Sequence, residues 1–232
     1  MANEFTLNWD AEGERFYETG VDRGVLYVYD PSPTSGSDST PKGYSNGVAW
    51  NGLSSVSENP SGGEATPVWA DNIKYLNLYS AEEYGATVEC YTYPDEFKAC
   101  NGETNLGGIE GITIGQQERA KFGFAYRTLL GNDVAGNSYG YIIHLIYGAK
   151  ASPSEETHST VNDSPEASTF SYELTTTPVN VSGMKPTATL EIDSTKVTSA
   201  QLTEIESILY GDGTNPGRLP LPDEIITILT TP

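Results

Sequence analysis

The chain has 232 residues and carries 12 Lys and Arg against 32 Asp and Glu, a formal charge of −20. A surface of that sign repels phosphate, which argues against a nucleic-acid-binding module but not against a protein that encloses DNA without holding it. Apolar residues make up 37%, and with the 24 glycines added that is enough to build the core of one large β domain.

The first residues, MANEFTLNWDAEGE, are polar and acidic and contain no apolar signal core. Residues 1–22 read as an N-terminal arm, with Phe5, Leu7, Trp9, Phe16 and Tyr17 scattered among acids. Gly24 to Tyr29 is a short strand candidate, followed by a Pro/Ser/Gly loop from Asp30 to Gly43. Val48–Val56 is strand-like, and residues 68–80 (VWADNIKYLNLYS) resume an extended pattern after ENPSGGEATP. From Gly85 to Tyr93 a strand places Ala86, Val88, Cys90 and Thr92 on one face, so Cys90 reads as a small buried residue. Pro94–Cys100 has the chemistry of a single helical turn, with Pro first and acids near the positive end.

The best-patterned stretch is Lys121–Ala149. Phe122, Phe124, Tyr126 and Thr128 alternate with Lys121, Gly123, Ala125 and Arg127. Gly131-Asn132-Asp133 and Gly136-Asn137 supply a turn. On the return, Tyr139, Tyr141, Ile143, Leu145 and Tyr147 alternate with Gly140, Ile142, His144, Ile146 and Gly148. Both faces of that strand are largely apolar, which predicts a central hairpin covered on both sides. A second long loop, Ala151–Ala167, precedes strands at 170–177 and 187–193. Helix 198–210 carries a capping-box signature at Thr198 and Gln201, a Val197–Leu202 staple and the apolar stripe Leu202, Ile205, Ile208, Leu209. Residues 212–232 read as a C-terminal arm, with 224–231 (EIITILTT) a strand or extended segment. The predicted class is therefore mainly β, a β-sandwich or partly closed barrel spanning 23–211, with one flanking helix, long loops and terminal arms.

The search for reaction chemistry finds little. His144 lies mid-strand between Ile142 and Ile146 and reads as a packed histidine; His158 lies in an acidic loop. No nucleophile elbow, P-loop or dinucleotide fingerprint is present. Gly211-Asp212-Gly213-Thr214-Asn215 lacks the alternating ligands of a calcium loop. Cys90 and Cys100 are expected to be free structural thiols of a protein made in the cytoplasm. No catalytic residue, metal or cofactor is expected, and no run approaches the ~20 apolar residues of a membrane span.

Several strings point further: YSAEEYGATVECYTYPDEF at 79–97, residues 122–164 beginning FGFAYRTLLGNDVAGNSYGYIIHLIYGAK, and GVAWNGLSSVSENPSGGEATPVWADNIKYLNLY at 47–79. With SPEASTFSYELTTTPVNVSG at 164–183, KPTATLEIDST at 185–195 and GRLPLPDE at 217–224, they cover most of residues 20–225. In these strings the chain resembles the major tail proteins, or tail tube proteins, of long-tailed, siphovirus-type bacteriophages of Gram-positive hosts. Both cysteines depart from what that family leads one to expect.

The resemblance implies a structural virion protein, assembled in the host cytoplasm as homo-hexameric rings that stack into a tube conducting phage DNA. It also implies contacts with a tape measure protein and a tail terminator, and DNA that passes without specific binding. On this reading Lys121, Phe122, Phe124, Tyr126, Arg127, Tyr139 and Tyr141 of the hairpin are expected at subunit interfaces, with Lys121 and Arg127 paired to a neighbour's acids. Glu82, Glu83 and Asp133 are the candidate lumen-facing acids. A ring of six would carry ~−120 charges. The competing expectation is an acidic β-sandwich binding module for carbohydrate or a surface protein, with Trp9, Trp50 or Trp69 as sugar platforms.

Overall fold

The computed structural model describes residues 7, 9–31, 43–44, 46–158, 160, 163 and 167–230. The strands run β1 (Phe16–Asp30), β2 (Gly43–Tyr44), β3 (Val48–Trp50), β4 (Leu53–Glu58), β5 (Ser61–Gly62), β6 (Ala65–Ala70), β7 (Ile73–Tyr79), β8 (Glu82–Glu83) and β9 (Gly85–Cys90). A helical turn α1 (Phe97–Cys100) and the short strands β10 (Thr104–Asn105) and β11 (Thr113–Ile114) lead into β12 (Phe122–Asn132) and β13 (Gly136–Ala151). Then follow β14 (Phe170–Thr176), β15 (Thr189–Asp193) and the helices α2 (Ser199–Tyr210) and α3 (Pro222–Thr230).

The long hairpin β12–β13 lies at the centre of an antiparallel sheet ordered β2-β1-β12-β13-β14-β9-β4, with β15 also on β13 and β3 also on β1. Its turn is held by Asn132, whose Oδ1 accepts from the N–H groups of Val134 and Ala135. Gly136 takes a positive φ of 56° there. The two faces of the hairpin then separate two cores. Phe122, Phe124, Tyr126, Ile146 and Ala149 pack with Trp50, Val88, Phe97 and Tyr172. Ala125, Ile143, Leu145 and Tyr147 pack on the other side with Ile205, Leu209, Ile225 and Ile228 of the helices. The strict alternation in the sequence is what makes one strand pair serve both cores.

The first core closes because the sheet turns a corner. Along β13, Ile142–Ile146 pair with β15, while Ala149–Ala151 pair with β14. The change occurs at Gly148, at φ 62°, where a Cβ would stand 2.1 Å from the Thr177 carbonyl oxygen. Only glycine fits such an approach. Beyond it the β14–β9–β4 wing folds over the Phe124 face. Ala86, Val88 and Cys90 of β9 point into that core, as their spacing predicts. The result is a β-sandwich-like fold with α2 and α3 on the outer face of the central sheet, and the sheet does not close into a barrel.

Helix α2 follows the sequence closely: Thr198 and Gln201 form the reciprocal cap, and Ile205 and Leu209 are buried. Three expectations change. Phe16–Asp22, read as part of an arm, forms the first half of β1, with Phe16 opposite Asn132 and Asp22 opposite Arg127. Residues 68–80 are two strands rather than one, because Asp71 and Asn72 both adopt positive φ (51° and 62°) and reverse the chain between β6 and β7. The C-terminal segment is helical and packed. Pro222 at its start and the acids Asp223 and Glu224 in its first turn suit a helix N-terminus. Ile225 and Ile228 then fall on one buried face, and Arg218 clasps Glu224 with both guanidinium ends. The loop expected at 30–43 lies for the most part outside the described residues, as do 159, 161–162 and 164–166 of the second loop.

Candidate assembly surface

Between Glu58 and Gly85 the chain leaves the sheet and returns as a two-stranded ribbon. The pairs Ser61–Glu83 and Gly62–Glu82 form its base, and β6 and β7 form its length, from Ala65–Tyr79 up to Ala70–Ile73. The dozen or so residues from base to tip correspond to about 40 Å of extended backbone. Little among the described residues covers it: all but Ala70 and Asn77 between Asn59 and Glu83 are exposed.

The ribbon is nonetheless apolar on both faces. Val68, Leu76 and Leu78 share one face and Ile73, Tyr75 and Tyr79 the other, with Trp69 at a bulge beside the tip. Trp69 is 67% exposed, Tyr75 65% and Tyr79 70%. An isolated two-stranded hairpin is marginal in water, and each outer edge offers unpaired N–H and C=O groups. A contiguous apolar surface of this kind is the signature of a contact site.

A second exposed aromatic group lies at the other end of β13. Phe16 packs on Tyr139 at 5.1 Å between ring centroids, and the Tyr17 hydroxyl donates to Asn137 Oδ1 at 2.7 Å. Phe16, Tyr17, Tyr139 and the nearby Val134 all remain more than a third exposed. The ribbon, by contrast, departs at the register Lys150–Thr175–Gly85, so the two surfaces mark opposite ends of β13.

The residues expected at subunit interfaces divide accordingly. Phe122 and Phe124 are 0% exposed and Tyr126 3%, inside the chain's own core, so they have no surface to offer a neighbour. Arg127 is paired within its own chain rather than with a neighbour's acid: Nε and Nη2 donate to the two Asp22 oxygens at 2.7 and 2.6 Å. Its guanidinium also lies 4.8 Å from the centroid of the Tyr141 ring. Tyr141 is half-buried and donates to Glu206 at 2.8 Å; burial first, then that hydrogen bond to the carboxylate, pushes its pKa up to about 12. Tyr139 keeps an exposed face. Lys121 sits 5.8 Å from the Tyr29 ring centroid, on a cleft lined also by Tyr44 and Arg218.

The three acids do not form a group. Glu82 and Glu83 stand exposed at the base of the ribbon. Asp133 occupies the tip of the central hairpin and is already engaged, its Oδ1 accepting from the N–H groups of Gly13 (3.1 Å) and Arg15 (3.4 Å). Of the tryptophans, Trp9 and Trp69 are exposed, whereas Trp50 is buried between Phe97 and Phe124 and is no platform for a sugar. Asp212 spends its carboxylate on Thr214 and Asn215 of its own loop. Of the ribbon residues only Glu82, Glu83 and Trp69 were singled out from the sequence, and the ribbon itself was not; the Asp71-Asn72 turn pair was the available signal.

No protein-family model matches the chain, and no curated protein matches it. Among the described residues no helix is long and apolar enough to cross a membrane.

Proposed function

We propose that this protein is a self-assembling structural subunit, the major tail protein of a siphovirus-type phage, polymerising as stacked hexameric rings into a DNA-conducting tube. The single observation that carries the assembly reading is the ribbon 59–83, apolar on both faces and left exposed by the described residues. Its partner is a second copy. The Phe16–Tyr17–Tyr139 surface at the opposite end of β13 presents a different patch from the ribbon. Contact between unlike patches is heterologous, and it generates rings where the rotation closes and filaments where it does not. The ribbon's open edges add main-chain hydrogen bonds to such a contact. The acidic charge supports the remaining element of the reading, a wall from which DNA is repelled. The tail-specific identity rests on the sequence resemblance alone.

Electron microscopy of concentrated purified protein tests the reading. Rings or tubes about 10 nm wide are expected, the size of a ring of six domains each a few nanometres across. A variant in which residues 63–80 are replaced by a two-residue turn should stay folded and monomeric. A monodisperse monomer of the full chain at every concentration refutes assembly, and saturable glycan binding by that monomer would select the binding-module reading instead, with Trp69 as its platform.

A further inference from the structure

His144 is buried, 5% exposed, and stacks flat on Tyr126 at 4.5 Å. Its two ring nitrogens face different surroundings. Nε2 lies 2.9 Å from Thr128 Oγ1, and that hydroxyl donates its one proton to Glu18 Oε1 at 2.5 Å. A hydroxyl that has donated can only accept, so Nε2 carries the imidazole proton. The same nitrogen lies 3.5 Å from Glu18 Oε1. In this Nε2–H tautomer the ring presents a lone pair at Nδ1.

Nδ1 has no hydrogen-bond partner among the described residues. It looks between two carboxylates, at 3.8 Å from Glu58 Oε1 and 3.7 Å from Glu191 Oε1. All three atoms lie within 4.8 Å of one another. In that tautomer three acceptors converge with no donor among them, an arrangement that is repulsive without a cation between them. The hydroxyl of Tyr126 does not fill the gap, since it donates to Glu58 from the side at 3.0 Å. Burial, and then the charge of Glu58, holds the phenols of Tyr84 and Tyr126 in their protonated forms. Tyr126 stabilises the carboxylate and leaves Nδ1 alone, while the buried Tyr84 hydroxyl has no hydrogen-bond partner among the described residues.

The spacing suits a cation. Two ligands bound at ~2.1 Å in tetrahedral geometry lie about 3.4 Å apart, so the observed separations close with a small side-chain rotation. One imidazole nitrogen and two carboxylates form a donor set of the zinc class, leaving a fourth position toward the half-exposed Glu191 side. The Thr128 hydrogen bond at the far nitrogen is the outer-shell contact that fixes ring and tautomer for such binding.

We infer that Glu58, His144 and Glu191 bind a divalent transition-metal cation of the zinc class. The three ligands come from β4, β13 and β15, so the ion ties the wing to the central sheet. Glu58 is also the last residue of β4, where the ribbon leaves the sheet. The ion therefore fixes the root of the ribbon.

The test uses full-length protein stripped with chelator and held at a concentration where it is monomeric, so that its result is separate from assembly. Zinc chloride is titrated by calorimetry and by thermal melting, and cobalt(II) is added for its visible spectrum. Expected are one saturable site per chain, a raised melting temperature and the d–d bands of low-coordinate cobalt. Glu191→Gln, on an exposed strand position, should abolish saturable binding without unfolding the protein, and Thr128→Val should weaken it about 10–100-fold. Magnesium chloride should not substitute. The proposal is overturned if zinc binds Glu191→Gln as it binds the parent, which marks diffuse attraction to an acidic surface. It is overturned equally if zinc neither binds the parent saturably nor raises its melting temperature.

Discussion

Replacing Phe124 by alanine separates a core role for the central hairpin from an interface role. Phe124 is fully buried, with Trp50 at 5.4 Å and Tyr126 at 5.7 Å between ring centroids. Truncating a fully buried phenylalanine removes its transfer free energy and leaves a cavity, at a cost of about 3–5 kcal/mol. For a chain of this length each kcal/mol lowers the melting temperature by ~2–4 °C, so a fall of about 6–20 °C is expected. Thermal melting followed by circular dichroism at a monomeric concentration measures it, with urea unfolding as the second readout. The hairpin contributes the same ring to every copy, so the loss must appear before any assembly. A fall below ~3 °C, with rings abolished, would refute the reasoning and return Phe124 to a subunit interface.

Further outcomes follow from the same structure. A double-mutant cycle on Arg127→Ala and Asp22→Ala should give a coupling of about 1–2 kcal/mol, above that of an ordinary exposed ion pair because the geometry is bidentate and Arg127 is mostly buried; additivity within error would remove the pair as a clasp between β1 and β12. Acidification should destabilise the fold through Asp193 and Asp223. Burial alone would raise the Asp193 pKa, but hydrogen bonds from Thr195 and from Lys196 outweigh it, and the Ser182 N–H and hydroxyl lower Asp223. A depressed folded-state pKa gives stability that is present above the unfolded value of ~3.9 and lost as pH falls through the folded one, so Asp193→Asn should flatten the melting curve against pH below about 4. Both cysteines are free and fully buried; burial pushes the Cys100 thiol up to about 12 and raises that of Cys90. Neither should react with a disulfide reagent at pH 8 until denaturant is added, and rapid labelling of one native thiol would show the first core to be open.

What the sequence makes legible is local. The alternation in 121–149 shows in advance which side chains of β12 and β13 share a face, and Thr198 with Gln201 marks the start of α2 to the residue. Two errors share a cause: local composition pointed one way and geometry another. Residues 224–231 are rich in Ile and Thr, which favour strands, but Pro222 and the periodicity of Ile225 and Ile228 make a helix. The run 68–80 looked continuous because both of its faces are apolar, and only the backbone of Asp71 and Asn72 reverses it. The contacts between distant segments are of another kind. Asp22 meets Arg127, and Glu58 and Glu191 meet His144, only after the sheet has formed and its wing has folded over. Residues so far apart in sequence carry no spacing that announces them. The expectation that Phe122, Phe124 and Tyr126 face a neighbour failed for the same reason: the wing that covers them was not visible as a wing.

The turn between β12 and β13 spans only Asp133 to Ala135, so their pairing closes a very short loop, whereas the wing and the helices reach their places through distant segments. Short closures are entropically the least demanding and tend to form first. A hairpin that carries a face of each core is then a template, with neither half of the protein able to consolidate before it. Substitutions at Ala125 or Ile143 should slow refolding, while comparable losses at Ile225 or Ile228 should chiefly hasten unfolding. If copies of the chain assemble as proposed, the order of events along a single chain controls how much half-folded, sticky material accumulates before assembly begins.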